Sequence, residues 1–363
     1  MIRFGPSGIP LSCKGRTLRD GIEDIHNLGL TAMEVQLVRV NLNERYAGDE
    51  DIGLTPREIP GELVVQIGRK EDRKEVLLSN LHEKIQKGDT LYSLASGVAR
   101  DYLELEDLGI LARELDIELS LHTPYYMDLA DADGLAEKSM QSVMWAGMLA
   151  QAMNASMVIT HLGMFGEVDH KVALDAIQKN LRTLRDSYRK AKIHARLGIE
   201  ASGRQEVVGS LDEILKLTKN VKGIAPVLNF AHVHARGFGL FKRPEDFDDV
   251  LGRVEKIADD GHLHTHFSGV EHADGNELRY TPIKKGDLRF EPLAECLLDE
   301  DYDLTIVSSS PLLEHDAMYM KVILERVLAK RLIRPTKPET EEKPERPERP
   351  ERPEKPERET RRR

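Results

Sequence analysis

Eight short apolar or β-branched runs, separated by amphipathic stretches, constrain what this chain can fold into more than any other feature. They are IRFG (2–5), AMEVQLV (32–38), IELSLH (117–122), SMVITH (156–161), ARLGIEAS (195–202), APVLNFAH (225–232), HLHTHFSG (262–269) and LTIVSSSP (304–311). Runs of this length and composition read as strands. Between them, segments such as LRDGIEDIHNLGL, LAEKSMQSVMWAGMLAQAM and LDEILKLTK carry the spacing of helices. Strand and helix alternating eight times over this length predict an α/β fold, a (β/α)8 TIM barrel, with a doubly wound open sheet as the main competitor.

Two segments do not fit the alternation. Residues 42–100, between the second and third strands, are too long and too charged for a simple connection and read as an insertion with a small hairpin around GELVVQIGRK. After about Arg334 the chain becomes a Pro-Glu-Arg repeat without a large apolar residue. Proline removes helical hydrogen bonds and the alternating charges stay solvated, so residues 334–363 read as a disordered tail, a solubilising appendage or a docking arm for a protein partner. Residues 1–333 are then one barrel domain, and deleting 335–363 is expected to leave the thermal unfolding transition nearly unchanged.

A hydrophobic fraction of 40% in 363 residues supports a substantial core, and no apolar run approaches a membrane span. With no signal-like N-terminus, the expected location is cytoplasmic, without a membrane partner. Cys13 and Cys296 are the only cysteines, too few for a disulfide framework or a Cys-rich zinc motif. A metal would have to be held by His and carboxylate. The net charge of −11 counts modestly against broad phosphate neutralisation, although ions in a cleft are themselves positive charges.

Candidate ligands sit at the C-terminal ends of the predicted strands, the face where barrel active sites assemble. The third strand ends in His122, the fourth in His161, the fifth in Glu200, the sixth at Asn229 and His232, and the seventh at His266. A histidine at one strand end is more often structural than functional. Ligand-type residues on five successive strand ends point to a divalent metal, because neutral imidazoles around a shared carboxylate suit zinc or manganese. His262 and His264 share a strand face with His266, and together with His234 they are read first as packed residues that can replace a missing ligand. The Gly203 to Ser210 stretch lacks the Lys-Ser/Thr ending of a phosphate loop and reads as an ordinary turn.

The runs SLHTPYYMDLA, VITHLGMF, LGIEASGRQEVVGSLDEIL, PVLNFAHVHARGFG, HTHFSGVEH and SPLLEHDAMYMK resemble endonuclease IV, the abasic-site endonucleases among the xylose-isomerase-like barrels, and its archaeal-type branch in particular. The resemblance spans roughly residues 1–330 apart from the insertion. It implies a zinc-dependent phosphodiesterase acting on abasic DNA in repair, with metals that activate a water and stabilise phosphate charge. By motif, His122, His161 and Glu200 match the ligands of the first metal, and Glu200, the catalytic carboxylate, also bridges to the second. His266 matches a ligand of the second metal and His232 one of the third. Arg39, Tyr125 and Tyr126 fall where the family places side chains against the DNA. The chain departs from the pattern at Asn229, which offers a carbonyl oxygen without charge, at Ser309 in place of a carboxylate, and at Leu278-Arg279-Tyr280, where no ligand is recognised. One or two ions are therefore expected, with weak cleavage. Two other readings stand beside this one: a metal-dependent sugar isomerase or epimerase of the same superfamily, and a non-catalytic descendant that binds DNA or a partner.

Overall fold

All eight runs form strands of one parallel sheet. In the computed structural model, which describes residues 1–333 apart from Arg39, Arg73, Ala132, Asp133 and Asp260, they are β1 (Ile2–Pro6), β2 (Ala32–Gln36), β3 (Glu118–His122), β4 (Met157–Thr160), β5 (Arg196–Glu200), β6 (Ile224–Asn229), β7 (His262–Phe267) and β8 (Asp303–Ser308). Their order around the sheet is β1, β8, β7, β6, β5, β4, β3, β2, and a Ser7–Glu34 bridge joins the last strand back to the first. The barrel expected from the alternation is thus present. The tail expected after Arg334 lies outside the described residues, and among those described no helix is long and apolar enough to cross a membrane.

Local sequence sets the element ends. Thr17 with Asp20, and Ser210 with Glu213, close capping boxes that satisfy the first amides of Leu18–Asn27 and Leu211–Asn220. The helices press Ile22, Ile25, Leu108, Leu149, Ile177 and Leu251 against the outside of the barrel. Inside, Met157, Ile159 and Val227 form a separate small apolar cluster. Gly198 leaves space for it, since a Cβ there would come within 2.6 Å of Val227 and 2.8 Å of the Met157 sulfur.

The sixth strand is shorter than its apolar run suggests. Asn229 accepts the backbone N–H of His232 and caps the helix Phe230–Arg236, so His232 lies on the first turn of a helix and not on a strand.

The insertion after β2 is a four-stranded antiparallel sheet of Asn41–Tyr46, Val64–Glu71, Lys74–Leu78 and Thr90–Ala95, and the hairpin expected around GELVVQIGRK is its Val64–Glu71 and Lys74–Leu78 pair. Arg69 ties this sheet together by donating to both Asp89 oxygens, at 3.1 and 2.9 Å, and to Glu83 at 2.6 Å. Asp89 is only 2% exposed, so truncating Arg69 strands a buried charge. Arg69→Ala is expected to cost about 3 kcal/mol in chemical denaturation. A loss below measurement error would show that the pair is idle.

Candidate metal centre

Three adjacent strand ends converge on one carboxylate. The Nε2 atom of His122 lies 3.1 Å, and Nδ1 of His161 3.2 Å, from the same oxygen, Oε2 of Glu200. His122 Nδ1 donates to the Thr123 carbonyl at 2.7 Å, which fixes the tautomer and turns the Nε2 lone pair toward Glu200. Ligand atoms bonded at zinc distances on a tetrahedron stand roughly 3.3 Å apart, so this spacing fits a divalent ion. The donor chemistry fits too. Burial holds the His161 pKa down at about 4, with Glu200 only partly opposing it, so the ring is neutral at physiological pH. Burial would raise Glu200, but His266 and His161 with the His122 and His266 hydrogen bonds outweigh it and keep the carboxylate well below its ordinary range.

His122 sets the pH response of such a centre. Burial would lower its pKa, yet the Glu200 hydrogen bond and the nearby Glu34 charge leave it above the ordinary 6.5. A proton on Nε2 competes with a metal there. Zinc affinity is therefore expected to tighten as pH rises, from below the ordinary 6.5 until Nε2 has lost its proton, by up to about tenfold per unit for one displaced proton. Isothermal titration across that range checks it, and a flat profile would contradict this assignment.

Around this triad a second set of contacts appears. Glu200 Oε1 lies 2.8 Å from His266 Nδ1 and accepts the Asn229 side-chain N–H at 2.9 Å. His266 Nε2 in turn stands 2.8 Å from Glu34. Burial would lower His266, but the two flanking carboxylates push its pKa up to about 10. Asn229 corrects an expectation: its carbonyl oxygen is committed to the helix cap, so it presents a donor to Glu200 where an oxygen ligand was expected. His232 is not gathered into the triad. Its Nδ1 donates to the Ala201 carbonyl at 2.5 Å, and its Nε2 meets the Tyr280 hydroxyl at 2.6 Å and Glu277 at 2.9 Å. Asn229 also donates to Tyr280, at 2.9 Å, so a continuous polar chain runs from Glu200 to Glu277.

Glu34, Glu277 and Tyr280 were missed as site residues by the sequence reading. Glu34 had a usable signal, a lone carboxylate in the apolar run AMEVQLV. Glu277 had little, because it lies on a hairpin strand, Asn276–Thr281, that reaches the site only through the fold.

The triad lies on a cavity of about 750 Å³ lined also by Glu34, His232, His266, Glu277, Tyr280 and Ser309. Tyr125 and Tyr126 stand on its wall, 78% and 45% exposed, with rings edge to face at 5.5 Å. Arg39, expected near them, lies outside the described residues. Among the described lining residues Arg204 is the one lysine or arginine, against five carboxylates, Glu34, Asp128, Glu200, Glu206 and Glu277. Arg204 itself faces Glu206 at 3.8 Å. A larger cavity of about 820 Å³ opens beside the insertion, but no histidine lines it, so the chemistry belongs to the smaller one.

Comparison with known proteins agrees with the barrel fold. The model of a family described as xylose isomerase-like TIM barrel matches residues 91–312. An uncharacterized protein of Methanocaldococcus jannaschii is 27% identical over 209 residues, 56% of this chain and 76% of that one. Among solved structures, endonuclease IV from Thermus thermophilus superposes with a TM-score of 0.56 at 17% identity, covering 90% of this chain and 99% of its own. The 3-keto-D-glucoside 4-epimerase YcjR of E. coli, in its apo form, also gives 0.56, at 11% identity, covering 90% and 100%. Such likeness shows the fold and does not separate nuclease from epimerase, so the narrower resemblance to endonuclease IV resolves only to the superfamily that holds both.

Proposed function

The chain belongs to the xylose isomerase-like TIM barrel family, and on that premise we propose that it is a divalent-metal-dependent isomerase or epimerase of a small hydroxylated carbonyl compound, a sugar or a close relative. The observation that carries this reading is the charge of the cavity. A phosphodiester backbone is gripped by lysine and arginine, whereas the described lining of this cavity offers five carboxylates and one arginine already facing Glu206. Carboxylates, imidazoles and a phenol in about 750 Å³ suit the hydroxyl groups of a small polyol.

His122, His161 and Glu200 would hold the ion, zinc or manganese, which when bound supplies Lewis acidity toward a carbonyl and its neighbouring hydroxyl. Asn229 holds the second oxygen of Glu200 by a hydrogen bond, and His266 Nδ1 stands 2.8 Å from the same oxygen. Glu277 serves as the base. The C–H bond beside the carbonyl breaks, its proton passes to Glu277, and its electron pair moves onto the carbonyl oxygen. Returned to the neighbouring carbon, while that carbon's hydroxyl proton passes to the former carbonyl oxygen, the proton completes an isomerisation; an epimerisation instead takes a proton from a second acid on the opposite face of the same carbon. His232 backs Glu277 at 2.9 Å as a partner that can share that proton. Tyr280, kept protonated far above its ordinary pKa by burial and by Glu277, meets His232 Nε2 at 2.6 Å and so holds the ring that backs the base. Tyr125 and Tyr126 provide apolar faces at the mouth.

The test is a panel of ketoses and aldoses incubated with metal-loaded protein in D2O and followed by proton NMR, beside an abasic-site duplex assayed on the same preparation. Loss of a carbon-bound proton signal, abolished by chelator, is expected. The triad matches endonuclease IV as well, so chelator-sensitive cleavage of the duplex with no exchange in any sugar would return the assignment to a phosphodiesterase.

A further inference from the structure

We infer that the barrel interior holds a second divalent-cation site, made by Glu34, His264 and His266 and lying beside the Glu200 centre. These three residues are each 1% exposed, and one ligand atom from each lies within 4.8 Å of the others. Both ring nitrogens of His264 are buried without a hydrogen-bond partner among the described residues. A neutral imidazole carries one donor and one acceptor, and leaving either unsatisfied in a buried site is unfavourable. His264 Nε2 lies 3.5 Å from Glu34 Oε2, while His266 Nε2 approaches the same oxygen at 2.8 Å. Those separations bracket the roughly 3.3 Å edge of a tetrahedral zinc site.

The rest of the surroundings prepare Glu34 for that role. Gln36 donates to its other oxygen, Oε1, at 2.7 Å and is anchored on Ser7 at 2.8 Å, which leaves Oε2 for a ligand. With His264 and His266 standing two residues apart on β7, their rings meet nearly perpendicular, 5.5 Å between centroids. The cluster His234, His272 and Asp287 makes a useful contrast. There, His234 Nδ1 accepts the Phe241 backbone N–H at 3.1 Å, so in the neutral ring Nε2 carries the proton and has no lone pair for a metal. No such commitment blocks His264. An ion on His266 Nε2 would displace the proton shared there with Glu34 and leave Nδ1, 2.8 Å from Glu200 Oε1, as the protonated nitrogen, so the inner ion would couple to the carboxylate of the outer one.

The inference goes beyond the proposed reaction and is tested without it. Chelator-stripped protein is dialysed against zinc and its metal content measured, with folding checked by circular dichroism. Wild type is expected to bind two ions per chain, His264→Ala and Glu34→Gln one each, His161→Ala one, and His161→Ala with His264→Ala none. One zinc in wild type overturns the inner site whether or not the variants fold, and leaves the outer centre intact if His161→Ala removes it. Two zinc ions in folded His264→Ala overturn it equally.

Discussion

Glu200→Gln is expected to weaken zinc binding at the outer centre by on the order of 100-fold or more and to bring any sugar-proton exchange to background. The substitution keeps the shape of the side chain. It removes the one negative charge shared by His122 and His161, whose nitrogens both face its Oε2 atom. It also puts an amide against Asn229, whose N–H already points at Oε1. Equilibrium dialysis at fixed pH reads the affinity directly. Unchanged affinity would mean that the ion sits elsewhere.

Glu277→Gln should separate metal binding from chemistry. The side chain touches His232 and not the triad, so zinc content should match wild type while turnover falls about 100-fold or more, the usual worth of a positioned general base. The loss should appear in kcat with KM little changed, because the proton transfer is made in the transition state and not in binding. Restored turnover with Glu277→Asp at a lower rate would support a carboxylate base. Loss of zinc together with activity would make Glu277 a ligand, and full activity would remove it from the reaction.

The barrel was legible because each strand is a compact apolar run and each helix carries its own spacing. What misled at β6 was composition. PVLNFAH reads as one continuous apolar stretch, yet Asn229 caps the helix that begins at Phe230, and capping is decided by backbone geometry as much as by residue type. The triad was legible in part because a ligand at a strand end needs only the strand to be right: His122, His161 and Glu200 sit beside one another on neighbouring strands. Residues that arrive through tertiary placement were not. Glu277 comes from a hairpin after β7 and reaches His232 across the fold, and nothing in NELRYT announces that contact. The orientation of the Asn229 amide was beyond sequence as well, since it follows from the helix amide its carbonyl accepts.

The same logic explains why the motif resemblance outran what it could decide. One fold is shared by proteins whose names denote different substrates, as two solved structures of equal TM-score illustrate. On the proposed reading, substrate choice rests on the charge of the cavity wall, whose described part is assembled from residues as distant in sequence as Glu34, Arg204 and Glu277. A strand-end motif does not contain that information.

A metal ion at the base of this cavity is tested most directly by anomalous scattering at the zinc edge from crystals of zinc-loaded protein. A peak within bonding distance of His122 Nε2, His161 Nδ1 and Glu200 Oε2 is the expected result. A map with no peak there, and with zinc only at exposed groups such as Asp287, would contradict a metal centre on these three strands.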